Sequence, residues 1–209
     1  MAEIKIISLE PQLQKQVESA RSALDRGQPE QAVELCAKIL AVHPDCLQVR
    51  KMERAAQLKF AALRRNLVAK LFTTVSSAPF LLGGNLKLKS DPRSALATAE
   101  RLLRSNPHNV AALHLLGEAA SALGWTDTAV FAHENASDLE PDRPDLLISL
   151  GKACVAAGRS ADAVSAANQA LEIQPGNIEA KTLLQNALVA VSVKAGKWEQ
   201  GGEVGRKVT

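Results

Sequence analysis

The sequence predicts an all-α, right-handed superhelical solenoid built from antiparallel helix hairpins. The main observation is a repeat, because residues 108–141 and 142–175 match at an offset of 34 residues in seven positions. The matched pairs are Leu113 and Leu147, Leu116 and Leu150, Gly117 and Gly151, Gly124 and Gly158, Ala129 and Ala163, Ala136 and Ala170, and Pro141 and Pro175. A second observation is that each copy holds two stretches of helical apolar periodicity separated by a glycine. This rhythm at a constant period is typical of stacked helical hairpins.

The residue types at the repeated positions have physical reasons. Gly124 can adopt the positive φ that closes a helix, Thr126 is a candidate N-cap for the next helix, and Pro141 stops that helix. A glycine inside a helix costs about 1 kcal/mol relative to alanine, so helical glycines at repeated positions indicate close packing between helices. The small residues expected at such contacts are Gly117, Ala129, Gly151 and Ala163.

This skeleton resembles the tetratricopeptide repeat family. The motifs that match are Leu113-x2-Leu116-Gly117, Ala129-x3-His133 and Pro141 in one copy, and Leu147-x2-Leu150-Gly151, Ala163-x3-Ala167 and Pro175 in the next. The family's bulky aromatic positions are taken here by Leu113, Ala120, His133, Leu147, Cys154 and Ala167, which predicts smaller contacts between helices. The resemblance implies a concave groove that is lined by the first helix of each hairpin and binds ligands.

The N-terminal part of the chain predicts a short arm followed by another copy of the hairpin. Residues 1–10 form the arm, and residues 11–45 form the first hairpin, with Pro11 in the first turn of its first helix. Three of its residues stand 97 positions before Gly124, Ala129 and Pro141, and they are Gly27, Ala32 and Pro44.

The second hairpin, residues 46–107, is predicted to carry an insertion. Its closing proline, Pro107, comes 63 residues after Pro44 instead of 34. A long amphipathic helix is expected from about residue 45 to about residue 76, followed by an inserted loop at about 77–90 that contains Gly83 and Gly84. The second helix of this hairpin is expected to begin at Asp91-Pro92 and to contain Ala95 at the small-residue position.

The C-terminal part predicts two regular repeats and a cap. Residues 108–141 and 142–175 are the third and fourth hairpins. Residues 176–195 have helical periodicity and polar groups, which favours a solvent-facing capping helix. Residues 196–209 are Gly-rich and are expected to form a tail, although Trp198 is unusual in such a segment.

The charge distribution points to a basic middle segment. Residues 46–104 hold 12 basic and 3 acidic side chains, whereas the flanking segments carry net charges of −2 and −4. A basic face is expected on the long helix, formed by Arg50, Lys51, Arg54, Arg64 and Arg65. It is interpreted either as a solvated surface or as a contact for an acidic protein or an anionic membrane. The alternative function is therefore a peripheral membrane or anionic-surface adaptor that uses the basic amphipathic helix in residues 46–89. Nucleic acid is disfavoured because no aromatic residues interleave with the charges.

The candidate groove residues follow from the resemblance. They are His114, Glu118, Ser121, Ile148, Lys152, Thr182 and Asn186. Co-chaperone members of the family hold a peptide's terminal carboxylate with an Asn/Lys/Arg set in this groove. Here Glu118 and Ser149 occupy places where that set requires an amide or a base, which disfavours chaperone-tail binding.

The remaining features argue against catalysis. The four histidines are scattered, no metal-ligand spacing is present, and the Gly-Gly pairs lack the context of a phosphate-binding loop. The three cysteines, Cys36, Cys46 and Cys154, indicate a reducing and therefore cytoplasmic compartment, and Cys36 and Cys154 are expected in the core. The sequence thus predicts a non-catalytic protein-interaction scaffold without cofactor or metal, which binds a partner peptide or helix in its groove. Self-association is left open.

Overall fold

The computed structural model describes residues 3–67, 83–84 and 87–204, with side chains for 3–64, 83–84 and 87–193. These residues contain α helices, one short 3-10 helix at Ile6–Ser8 and no strand, so the all-α prediction is confirmed for them. The helices are α1 (Pro11–Asp25), α2 (Pro29–Val42), α3 (Leu47–Leu67), α4 (Pro92–Ser105), α5 (Val110–Ala122), α6 (Thr126–Leu139), α7 (Pro144–Ala156), α8 (Ser160–Ile173) and α9 (Ile178–Val204).

The chain divides into two compact units, unit 1 (Met1–Thr128) and unit 2 (Ala129–Thr209). In unit 1, α1 packs against α2, α2 against α3, and α4 against α5. The first turn of α6 also belongs to this unit. In unit 2, α7 packs against α8, and α9 packs against both. The pairs α1–α2 and α7–α8 lie within the predicted first and fourth hairpins, whereas α2–α3 and α4–α5 connect predicted hairpins that follow one another in the sequence.

The turns inside three hairpins have the same backbone geometry. Gly27, Gly124 and Gly158 have φ angles of 71°, 75° and 71°. In each turn, the residue after the glycine donates its N–H to a carbonyl five residues earlier, at 2.8 to 2.9 Å. This is the Schellman arrangement, in which a left-handed residue ends a helix. The positive φ predicted for Gly124 is confirmed.

Several of the small residues expected at helix contacts are buried or closely packed. Ala32, Ala129 and Ala163 are buried. A Cβ atom built on Gly151 of α7 would lie 2.5 Å from the Cδ2 atom of Leu183 on α9 and 3.5 Å from the carbonyl oxygen of Ala163 on α8. Glycine at 151 therefore allows α7 to approach its neighbours.

The described part of the insertion contains a packed segment. The predicted extension of the long helix beyond Leu67 and most of the predicted loop lie outside the described residues. Gly83 and Gly84 are helical, and a Cβ built on Gly84 would lie 2.5 Å from the Cδ2 atom of Leu115 on α5. Asp91 accepts a hydrogen bond from the Ser94 N–H at 3.1 Å, so the predicted cap of α4 is confirmed.

The capping helix α9 extends to Val204, nine residues past the predicted boundary at residue 195. Extending an existing helix adds one hydrogen bond for each residue that is ordered, whereas starting one is costly. Helix elongation therefore tolerates the glycines that suggested a tail. The capping helix is also less polar than expected, since Leu188, Val189, Val191 and Val193 are exposed.

Candidate functional site

The predicted basic face of α3 is wrong for two of its arginines. Arg50 is only 3% exposed and Arg54 only 6%. The Arg50 guanidinium donates to the Glu100 carboxylate of α4 at 2.5 Å and to the carbonyl oxygen of Pro44 at 2.6 Å. Arg54 donates to the carbonyl oxygen of Pro107. These two charges hold unit 1 together instead of facing solvent.

Arg50 and Arg54 belong to a buried polar stripe on α3 that also contains Glu53 and Gln57. Arg104 of α4 lies 3.4 Å from a carboxylate oxygen of Glu53 and 3.8 Å from one of Glu100. Burial, followed by the nearby Glu100 carboxylate, raises the pKa of Glu53 to about 7, while Arg104 and Arg50 act in the opposite direction. The partners on α4 explain why charged residues are tolerated inside this unit.

Less of the basic face is therefore available to an anionic surface. Lys51 and Arg64 are exposed, and the Arg64 guanidinium lies 5.5 Å from the centre of the Phe60 ring. The side chain of Arg65 lies outside the described residues. Within the described ranges, no helix combines the length and the apolar character needed to cross a membrane.

In unit 2, three predicted groove residues lie on adjoining helices and face solvent, namely Lys152, Thr182 and Asn186. Lys152 of α7 forms an ion pair with Glu179 of α9, and both side chains are more than half exposed. Thr182 and Asn186 follow Glu179 at helical spacing on α9 and are also exposed. Because the ion pair joins α7 to α9, these side chains form a continuous surface across the two helices, which is called the α7–α9 face below.

The α7–α9 face extends into apolar residues that are not among the predicted groove residues. Val189 and Val193 continue the spacing of Glu179, Thr182 and Asn186 by three and four residues, and Val189 is 63% exposed. The spacing was visible in the sequence, but an apolar residue on a presumed capping helix gives no sign of whether it is covered. The face thus combines an ion pair, a hydroxyl, an amide and two aliphatic side chains.

The prediction that Ile148 lines the groove is wrong. Its side chain is 3% exposed and packs in the core with Leu147, Ala170 and Leu183. Three apolar residues in succession, at 146–148, are buried in α7, so helical spacing alone did not show which of them faced outward.

In unit 1, the predicted groove residues lie along one side of α5. His114, Glu118 and Ser121 are spaced by four and three residues, so they share a helix face. His114 and Glu118 are partly buried, whereas Ser121 is exposed. Their role in binding stays a prediction.

The cysteines are unsuited to nucleophilic chemistry. Cys36, Cys46 and Cys154 are all buried and free of disulfides, which confirms the core placement of Cys36 and Cys154. Burial raises the pKa of Cys36 to about 12 and that of Cys154 to about 11. A thiolate is the reactive form of cysteine, so neither thiol is activated at neutral pH.

Comparison with known proteins identifies the repeat. Two tetratricopeptide repeat family models match, one over residues 89–144 and one over residues 124–187. No curated protein sequence matches the chain at a significant level.

Similar solved structures show the same fold. The first TPR of Spaghetti (RPAP3) bound to HSP90 peptide SRMEEVD matches at 21% identity with a TM-score of 0.52, over 58% of this chain and 99% of that chain. The TPR2AB domain of yeast Sti1 in complex with pHSP90 matches at 17% identity with a TM-score of 0.51, over 84% and 69%. The structure of the APC/C hetero-tetramer Cut9-Hcn1 matches at 19% identity with a TM-score of 0.50, over 83% of this chain and 35% of that chain. Tetratricopeptide repeats therefore extend over residues 89–187, and the predicted fold of antiparallel helix hairpins is confirmed.

Proposed function

We propose that the chain is a non-catalytic protein-interaction scaffold and that the α7–α9 face of unit 2 binds a partner peptide or helix. The main support for the proposal is the Lys152–Glu179 ion pair, because it joins the exposed sides of α7, the first helix of its hairpin, and of the capping helix α9 into one surface. Support also comes from the family, since two of the similar structures are complexes with HSP90 or an HSP90 peptide.

The chemistry of the α7–α9 face favours an amphipathic ligand of low net charge. Lys152 already has a carboxylate partner in Glu179, so it is a weaker receptor for a second anion than an unpaired lysine. The Asn186 amide can both donate to and accept from a peptide main chain. Val189 and Val193 offer apolar contact beside it. This combination supports a ligand with one apolar side and differs from the Asn/Lys/Arg set that holds a terminal carboxylate.

The test compares two sides of the same helix. Peptides selected from a random library against the whole chain are titrated by calorimetry into the parent protein, into Lys152→Ala/Asn186→Ala and into Lys181→Ala/Gln185→Ala. The second pair is a matched control, because it removes one lysine and one amide from exposed positions off the α7–α9 face. We expect the first pair to weaken binding by roughly tenfold or more and the control pair to have little effect. Both pairs should leave the helical content unchanged, because the altered side chains are exposed. Loss of binding only in the control pair would place the site elsewhere.

A further inference from the structure

Residues 3–6 of the N-terminal arm are held by the rest of unit 1 as a short peptide ligand would be, with residues 3–5 outside any helix and Ile6 at the start of the 3-10 helix. The Ile4 N–H donates to the carbonyl oxygen of Asp45 at 3.2 Å, and the Ile6 N–H donates to the Gln48 side-chain oxygen at 2.8 Å. Both isoleucine side chains pack on the core of the first hairpin, whereas Lys5 between them is exposed. Ile4 and Ile6 are thus each held by a hydrogen bond from the main-chain N–H and by apolar packing of the side chain.

The arm also presents a carboxylate to the start of α6. The backbone N–H groups of Asp127 and Thr128 donate to the two carboxylate oxygens of Glu3, at 3.1 and 2.8 Å. The hydroxyl of Thr128, a fully buried residue, donates to the same carboxylate. Unpaired amides and the helix dipole make a helix N-terminus favourable for an anion.

The position of Glu3 in the sequence shows that its carboxylate makes a tertiary contact and is not an ordinary helix cap. A capping side chain normally comes from the residue that precedes the helix, whereas Glu3 stands 125 residues before Thr128. The groups that hold the arm come from the start of α3 and the start of α6, together with the apolar surface of the first hairpin. The receptor is therefore built from residues outside segment 3–6.

We propose that this surface, called the arm site, is a binding site for extended peptides of the pattern acid–apolar–any–apolar, and that Glu3-Ile4-Lys5-Ile6 is its ligand in cis. The carboxylate is recognised by Asp127, Thr128 and the helix dipole, and the apolar residues at the second and fourth positions pack on the first hairpin. The arm site is separate in its residues from the α7–α9 face, so it adds a second peptide-binding site to the proposed scaffold.

Covalent attachment determines which ligand occupies the arm site. A short tether holds the arm at an effective concentration in the millimolar range, so a free peptide competes poorly with it. The apparent dissociation constant of a partner rises as the fraction of chains with an open site falls. A partner with the same pattern and additional contacts displaces the arm, and release of the arm exposes the site.

The experiment uses the full chain with its arm released by Ile4→Asp/Ile6→Asp. The probe is a fluorescein-labelled peptide of residues 1–8, and binding is followed by anisotropy. We expect the released chain to bind this peptide at least roughly tenfold more tightly than the parent, whose site is occupied. A peptide with glutamine in place of Glu3 should bind the released chain roughly tenfold more weakly, because a charge-assisted contact is lost.

Controls separate recognition from stability. Thr128→Val in the released chain removes the hydroxyl donor with little change of shape and should weaken binding of the parent peptide, whereas Thr126→Val should not. Should the isoleucine double variant melt differently from the parent, Glu3→Lys releases the arm by repulsion from the helix N-terminus and leaves both isoleucines in place. Equal binding of the glutamate and glutamine peptides, or no binding to a folded released chain, would overturn the proposal.

Discussion

The close approach of Gly151 and Leu183 predicts that the effect of Gly151→Ala on the free energy of unfolding depends on the residue at position 183. In Gly151→Ala, the new Cβ would lie 2.5 Å from the Cδ2 atom of Leu183. Favourable carbon–carbon contacts are about 3.5 to 4 Å, so one group has to move by about 1 Å. Leu183 is buried between α7, α8 and α9, and a new rotamer has little space.

The expected change in the free energy of unfolding on Gly151→Ala is the sum of two opposing effects. Alanine in place of glycine inside a helix stabilises by about 1 kcal/mol, whereas overpacking a core costs about 1 to 3 kcal/mol. Gly151→Ala should therefore be neutral or destabilising by up to about 2 kcal/mol. In a Leu183→Ala background the clashing methyl groups are gone. The same substitution should then stabilise by about 1 kcal/mol, and the coupling free energy should be about 1 to 3 kcal/mol.

Urea denaturation followed by circular dichroism at 222 nm measures all four proteins of this cycle. Leu183→Ala alone is expected to cost about 2 to 5 kcal/mol, so the melts need a wide baseline at low urea. The informative quantity is the difference between the two Gly151→Ala effects. If alanine stabilises the protein equally in both backgrounds, close approach of α7 and α9 is not the reason for the glycine.

Three further predictions concern single residues. Cys36 and Cys154 have raised pKa values and are buried, so we expect maleimide to label them only after denaturant is added, as mass spectrometry can show. Gly124→Ala places a Cβ at a φ of 75° and should destabilise by about 1 kcal/mol, whereas Gly176→Ala, with open space and no positive φ, should not. Glu53 binds its proton more tightly in the folded state, where its pKa is about 7 against an ordinary value of 4.5. The stabilisation that comes from this tighter proton binding is therefore complete below pH 4.5 and is lost as the pH rises through 7. The size is up to about 3 kcal/mol, and Glu53→Gln should remove that part of the pH dependence in urea melts.

Features governed by nearby residues could be predicted from the sequence. The turn at Gly124 needed only the end of one helix and the start of the next, and the positive φ at Gly27 and Gly158 followed from the same register. The cap at Asp91 likewise depends on an N–H three residues later. These rules for turns and helix caps depend only on residues close in sequence, so they apply in every copy of the repeat.

Features governed by distant partners could not be predicted in the same way. Arg50 and Arg54 lie opposite an apolar stripe by helical periodicity, yet they are buried because Glu100 and Pro107, 50 and 53 residues away, accept their hydrogen bonds. Periodicity shows which residues share a face, and it does not show whether a second polar helix covers that face. The same limit applies to Ile148, which ends a run of three apolar residues that are all buried.

The sequence distance between Glu3 and its receptor has a consequence for the order of folding. The ion pair between α7 and α9 closes a loop of 27 residues, whereas the contact between Glu3 and Thr128 closes one of 125. The entropy of loop closure grows with the logarithm of loop length, and topologies rich in distant contacts fold more slowly. During synthesis the arm emerges before α6, so its receptor on that helix does not yet exist. The arm is therefore expected to dock last, as a slow step after the hairpins of unit 1 have formed.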